Sequence, residues 1–347
     1  MSAEITRFFS GRTLRLFIVC LVSAAVIAGL AAYEYFVLGL EPHDESAPRF
    51  GVYFLIRSAL VIGCSLLLTA TVWASRRPLG AVRLDAISTL AIYGSAVCSI
   101  VAAFTFLWNS EAFHRYALED GLVEWTSAGA CFLASITFLI TAFRRYARGS
   151  SRSGLVCVGL ALLTFLIGME EISWMQRVLV FESPEMFAHN RKNEVNLHNF
   201  FTNVSENLYY VGSFAILIAV PFLNEAYGIA IESHPLADVV PDRPVALVAA
   251  PLVAFNYDMW NIIPIQMAFF MTLVLLLAYL WDMTRRKDTG IYAVLAVACA
   301  VVIVQGVFLG FGENLVRSWE PTEYKELLIP LAFFFYAFRV ATKTFSA

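Results

Sequence analysis

The chain has 347 residues, of which 59% are hydrophobic and only 15% charged, against about 25% charged in an ordinary soluble domain. With a mean hydropathy of +0.71, this excludes a disordered chain, a coiled coil and a small disulfide scaffold, and it reads as a polytopic all-α membrane protein. The apolar runs are continuous rather than alternating, which excludes a transmembrane barrel. A net charge of -3 leaves no basic field for nucleic acid. All six cysteines lie inside apolar stretches and none forms a CxxC, so they read as small buried hydrophobes rather than as a disulfide framework or zinc knuckle.

A span needs about 20 apolar residues. In chain order the candidates are Leu16–Leu40, Val52–Ser75, Asp85–Trp108, Trp125–Phe143, Gly154–Phe181, Leu208–Leu223, Ile263–Trp281, Gly290–Phe311 and Leu327–Phe345. The first follows Arg7, Arg12 and Arg15 but is longer than the roughly 7–15 residues of a signal core, so it reads as an uncleaved span. Val245–Tyr257 is a weaker tenth candidate, interrupted by Pro251 and covering only about 20 Å of a roughly 30 Å hydrocarbon core.

Arginine-rich loops follow the second and fourth spans (Arg76, Arg77 and Arg83; Arg144, Arg145, Arg148 and Arg152), and Arg285, Arg286 and Lys287 precede Gly290. Positive loops stay inside, which makes both termini cytoplasmic. For the Arg285 cluster to be inside, an even number of crossings must precede it. Either Val245–Tyr257 crosses, giving ten spans, or it and Leu208–Leu223 both dip without crossing, giving eight. Ten is the favoured count. Both solutions put Glu41–Phe50, Asn109–Glu124, Glu182–Glu206 and Gly312–Glu326 outside. No repeat or linker divides the chain, so residues 1–347 read as one membrane domain, with 182–206 as a folded external loop.

Four polar clusters sit at that external side. The first is Glu119-Asp120-Gly121-Leu122-Val123-Glu124-Trp125, where a span begins. Acids in a first turn complement the helix dipole, and the same carboxylates can face a bundle interior. The second is Gly168-Met169-Glu170-Glu171-Ile172-Ser173-Trp174-Met175-Gln176-Arg177. Glu170 lies about 16 residues, roughly 24 Å, into its span, where a lone carboxylate is costly and turns toward protein or a cavity. Continued helix would put Glu170, Trp174 and Arg177 on one face.

The third cluster is Glu194-Val195-Asn196-Leu197-His198-Asn199. If helical, Glu194 and His198 share a face and can hold a metal, or the acid can orient the ring as a base. Upstream, Ser183-Pro184-Glu185 has the pattern of a helix start. The fourth cluster contains Glu313, Glu320, Glu323 and Glu326. Glu320 and Glu323 read as ordinary helix initiation around Pro321, whereas Glu326 lies one turn deeper and is the stronger candidate. Elsewhere, Glu34 and Arg57 can pair between the first two spans. His43, His114, His189 and His234 read as loop histidines. Asn256-Tyr257-Asp258 falls outside in the ten-span solution and can join the site.

These motifs resemble those of a group of multi-pass bacterial inner-membrane proteins carrying an acidic EDGxxEW start, a GEEISWGQR stretch and a downstream NLHN. Here they read Glu119–Trp125, Gly168–Arg177 with Met169 and Met175 departing, and Asn196–Asn199. The group has no assigned activity. The resemblance implies only that these polar residues belong together.

No phosphate loop, GxSxG elbow or HExxH is present. The leading expectation is a membrane-embedded hydrolase or transferase that acts from the external leaflet on a lipid or lipid-linked substrate. Glu170, Glu171 and His198 are its candidate catalytic groups, and Trp174, Gln176 and Arg177 its candidate substrate contacts. Glu119, Glu124, Glu170, Glu171, Glu194, His198 and Glu326 are candidate ligands for a divalent metal. A carboxylate-rich set suits Mg²⁺, Mn²⁺, Fe²⁺ or Ca²⁺ better than Zn²⁺. The alternatives are a proton- or cation-coupled transporter and a structural membrane protein in which the acids join helices.

Overall fold

A computed structural model describes residues 11–43, 45–76, 84–187, 194–228 and 236–346. The arginines at 7, 77 and 83 and the histidines at 189 and 234, all used above, lie outside the described residues. Among the described residues eight helices are long and apolar enough to cross a membrane. The architecture is a polytopic helical bundle of eight to ten spans. Two long helices open the chain, α1 (Gly11–Phe36) and α2 (Val52–Ser75). They are followed by α3 (Ala86–Trp108), the surface turn α4 (Ser110–Tyr116), α5 (Leu122–Ala147) and α6 (Ser151–Glu171). Outward-facing Phe17, Leu90, Leu155 and Leu277 are exposed, as expected of side chains that only lipid covers.

The sixth crossing is longer than its apolar run suggests. It combines α7 (Thr202–Phe214), a π turn at Ala215–Ala219 and α8 (Val220–Tyr227). Pro221 has no N–H to give to the preceding turn and its ring crowds the carbonyl four residues back, so the helix widens there without stopping. The crossing runs from Asn203, which donates to the His43 carbonyl at 3.0 Å, to Tyr227, whose hydroxyl lies 3.5 Å from the Val72 carbonyl.

The weak tenth candidate forms α9 (Arg243–Ala249) and a 3-10 turn at Ala250–Ala254, with every residue buried. Together they cover roughly 20 Å. At one end Asp242 pairs with Arg339 at 2.7 Å and Lys343 at 3.3 Å, and Arg243 with Glu225 at 3.0 Å. At the other end Asn256 and Gln305 exchange hydrogen bonds of 2.9 and 2.7 Å, and Asn261 donates to the Ser46 and Ala47 carbonyls. The segment therefore carries the chain from the arginine-rich end to the acidic end. Surrounding helices bury it throughout. After it come α10 (Ile263–Arg286), α11 (Ile291–Phe311) and α12 (Glu320–Ser346).

Packing is densest where α5 lies against α6 and α12. Gly168 accounts for part of it. A Cβ there would fall 2.9 Å from the Cys131 Cβ and 3.1 Å from the Phe132 ring. Only glycine lets α6 approach α5 this closely, and it does so just before Glu170 and Glu171.

Candidate functional site

The second cluster does not continue as helix. α6 stops at Glu171, and Ser173, Trp174 and Met175 adopt φ of 45°, 54° and 65°. Three consecutive left-handed residues without glycine cost on the order of 1–3 kcal/mol each, so surrounding contacts must hold them. Glu170 supplies two. Its carboxylate accepts from Trp174 Nε1 and from the Leu197 backbone N–H, both at 2.7 Å. Ser173 Oγ donates to Glu194 at 2.9 Å, and Gln176 Oε1 accepts from the Val195 N–H at 2.6 Å. Glu170, Trp174 and Gln176 thus pin the 194–197 segment onto the end of α6.

The break corrects the helical-face reading. After it the short helix Gln176–Leu179 turns away, and Arg177 pairs with Glu119 at 2.9 Å, Asp120 at 3.1 Å and Glu194. Burial works against its charge, but Glu194 above all, then Glu119 and Asp120, outweigh it and raise the Arg177 pKa above its usual range.

Glu194 and His198 are not one helical turn apart either. Residues 194–197 form bends, and a 3-10 turn begins only at His198. The shared-face argument for that pair falls, because Asn196 folds back to the Glu194 carbonyl at 2.8 Å instead of extending a helix. The His198 side chain lies outside the described residues. Likewise, Ser183-Pro184-Glu185 begins only a 3-10 turn, Glu185–Phe187.

The first cluster folds as a tight turn into α5. Asp120 has φ 58°, and a Cβ on Gly121 would sit 2.4 Å from the Leu118 carbonyl oxygen. Glu124 in the first turn of α5 accepts from the Asp120 N–H at 2.6 Å. In the fourth cluster Pro330 lies inside α12 and leaves the Glu326 carbonyl without its intrahelical donor. Ser127 Oγ on α5 fills that position at 2.9 Å, while Tyr210 OH donates to Glu326 Oε1 at 2.5 Å. Glu320 is buried and accepts from the Arg317 N–H at 2.8 Å and faces His114 Nδ1 at 2.6 Å. His114 therefore has a structural partner that the sequence did not suggest.

Glu119, Glu124, Glu170, Glu171, Glu194 and Glu326 all line one cavity of about 510 Å³ at the acidic end, with Arg177. Glu45, Glu206, Glu323 and Arg317 bring the lining to nine glutamates and two arginines among the described residues. Leu163, Leu166 and Ile167 of α6 form an apolar wall. Trp174 and Gln176 stand behind the lining rather than in it. Asn256 and Asp258 do not join it; Asn256 instead accepts from buried Lys325.

Glu171 stands apart from the other acids. Among the described residues it makes no hydrogen bond and no ion pair, and the charges acting on it are the carboxylates of Glu326, Glu323 and Glu124. Near it, among the described residues, the Tyr209 hydroxyl is buried without a partner, and so are both ends of the Asn199 amide, on a residue 3% exposed. Tyr209 is missed by motif reading, yet Thr202, Ser205, Glu206 and Tyr209 recur at helical spacing on α7 and all face the cavity. That recurrence of polar side chains at helical spacing is a legible signal.

Among the described residues no three His, Cys, Asp or Glu side chains are grouped to hold a metal ion. The acids are spread around the wall, and the ring that would complete the metal set is that of His198. A second cavity of about 360 Å³, mainly apolar, lies across α7 between α1 and α2. There Arg57 pairs with Glu34 at 3.3 Å, the pairing read from the sequence. No family model, curated protein or solved structure matches the chain.

Proposed function

We propose that the chain is a membrane-embedded hydrolase or transferase that takes a lipid or lipid-linked substrate into the cavity at its acidic end. The observation that carries this reading is Glu171, a carboxylate with no partner among the described residues, in a cavity lined by acids and by Leu163, Leu166 and Ile167. A carboxylate so placed is suited to take the proton of an attacking hydroxyl and return it to the leaving group. The buried Tyr209 hydroxyl is within the same group of polar atoms and can orient the reacting oxygen. The apolar wall of α6 suits the substrate's chain. The positive-inside pattern supports the non-cytoplasmic leaflet, and the resemblance supports a bacterial inner membrane.

Glu170, given the same role from sequence, is better suited to fixing the loop, since both its oxygens are engaged. Arg177 holds three acids and is a positioning residue. A cation-coupled transporter is the second reading, supported by the short buried segment Arg243–Ala254, which has the form of a discontinuous helix.

The test is lipid turnover. Full chain and Glu171→Gln are each reconstituted in vesicles of bacterial lipid extract, and lipid species are followed by mass spectrometry. The expected result is a species consumed by the wild type and spared by the variant. Identical lipid profiles overturn the enzyme reading. If they are identical but an imposed cation or pH gradient dissipates only with the wild type, the transporter reading replaces it.

A further inference from the structure

The chemistry of the cavity wall restricts what can enter it. Among the described residues nine glutamates and two arginines line about 510 Å³, and Arg177 is already matched by Glu119, Asp120 and Glu194. An anionic headgroup would meet this excess directly and be repelled, whereas a cation would relieve the mutual repulsion of the acids. Acids dispersed around a large space, with no three grouped to hold one metal ion among the described residues, match a ligand with several separated N–H donors better than a compact ion. Asn199 is an independent observation. The residue is 97% buried, lines the cavity and leaves both its side-chain oxygen and nitrogen unpartnered among the described residues. A buried amide in that state costs about 1–3 kcal/mol, which a ligand filling the cavity would recover.

We propose that this cavity binds an organic ammonium group, with Glu171 as its counter-ion and the Asn199 amide as a hydrogen-bonding partner. The inference rests on the same cavity as the enzyme reading and names the class of headgroup that it takes. An ammonium carried on a lipid places its chain along Leu163, Leu166 and Ile167, while a free polyamine uses the acidic wall alone.

Binding tests this without any turnover. Full chain in a non-ionic detergent is titrated calorimetrically with spermidine, and with Mg²⁺ and Ca²⁺ separately. In a second arm native mass spectrometry compares retention of phosphatidylethanolamine with that of phosphatidylglycerol. Amine binding by either arm supports the proposal, and the arm that responds names the source of the group. Glu171→Gln and Asn199→Leu should each weaken that binding at least tenfold, with melting curves confirming the fold. Should Asn199→Leu fail to fold, the isosteric Glu171→Gln decides alone. Absence of amine binding in both arms, metal ions binding more tightly than the amines, or affinity unchanged in Glu171→Gln overturns it. Turnover that depends on Glu171 without amine binding would defeat this inference and leave the enzyme reading standing.

Discussion

The Ser127 hydroxyl donates at 2.9 Å to the Glu326 carbonyl, the one carbonyl in α12 that Pro330 deprives of its intrahelical donor. One residue thus repairs a backbone defect made by another on a different helix, at the turn that aims the Glu326 carboxylate into the cavity. Ser127 is 1% exposed, so no solvent replaces it. Ser127→Ala should destabilise the protein by about 1–3 kcal/mol, the cost of an unsatisfied buried acceptor. Pro330→Ala restores the N–H, so in the double variant most of that loss should vanish. Chemical unfolding of the four proteins in one detergent measures the cycle, and additive losses would refute the coupling.

Arg177 is the knot between three chain segments. It holds Glu119 and Asp120 from the turn before α5 and Glu194 from the segment after the α6 break. Its side chain is 25% exposed, so its loss should cost between the limits for exposed and buried pairs, about 1–2 kcal/mol. Arg177→Gln should raise amide hydrogen exchange at Val195–Asn199 while leaving the membrane-spanning helices protected. Arg177→Lys should recover only part of the protection, because a single ammonium cannot replace a planar fork across three carboxylates.

The bundle and six of the cavity's acids, Glu119, Glu124, Glu170, Glu171, Glu194 and Glu326, were legible because both follow from one-dimensional signals. Apolar length sets the spans, arginine asymmetry sets the ends, and acids that fall just inside the other end have only a protein interior to face. What stayed hidden is non-local. Nothing in Ile172–Met175 marks a helix stop, since it holds neither glycine nor proline; the break is imposed by Glu170 and Glu194 from outside it. An i, i+4 argument for Glu194 and His198 failed for the same reason, as Gln176 and Glu170 hold that segment in bends. Unpartnered groups such as Asn199 are invisible until every neighbour is placed.

Asp258 gives the fold a pH dependence. It lies at the acidic end between the buried segment and α10, 2% exposed. Burial, with Glu45 adding to it and Lys325 opposing, pushes its carboxyl up to about 7. The unfolded chain releases this proton near the ordinary value of 3.8, so unfolding releases a proton across the interval between. The contribution to stability is complete below about pH 4 and is lost as pH rises through 7, by up to about 4 kcal/mol at 1.36 kcal/mol per unit. Asp258→Asn cannot ionise. The stability of the variant relative to wild type should therefore increase from pH 5 to pH 8, read from unfolding midpoints at each pH, and a constant difference would show that Asp258 does not titrate in this range.

Adjacent Glu170 and Glu171 should respond in opposite ways to the same change. Glu170 accepts from Trp174 Nε1 on one oxygen and from the Leu197 N–H on the other. Glutamine keeps one acceptor and sets an NH₂ against a donor, so Glu170→Gln should cost about 1–3 kcal/mol and loosen the left-handed turn at Ser173–Met175. Trp174 fluorescence and exchange at the Leu197 amide report that loss. Among the described residues Glu171 has no donor to lose and faces other carboxylates, so Glu171→Gln should leave the melting temperature unchanged or raise it, because it removes a repelled, poorly solvated charge. If Glu171 serves the cavity's ligand rather than the fold, this stable variant is the one that loses ligand and turnover. A large loss of stability in Glu171→Gln would instead make it a structural acid and remove the basis for its chemical role.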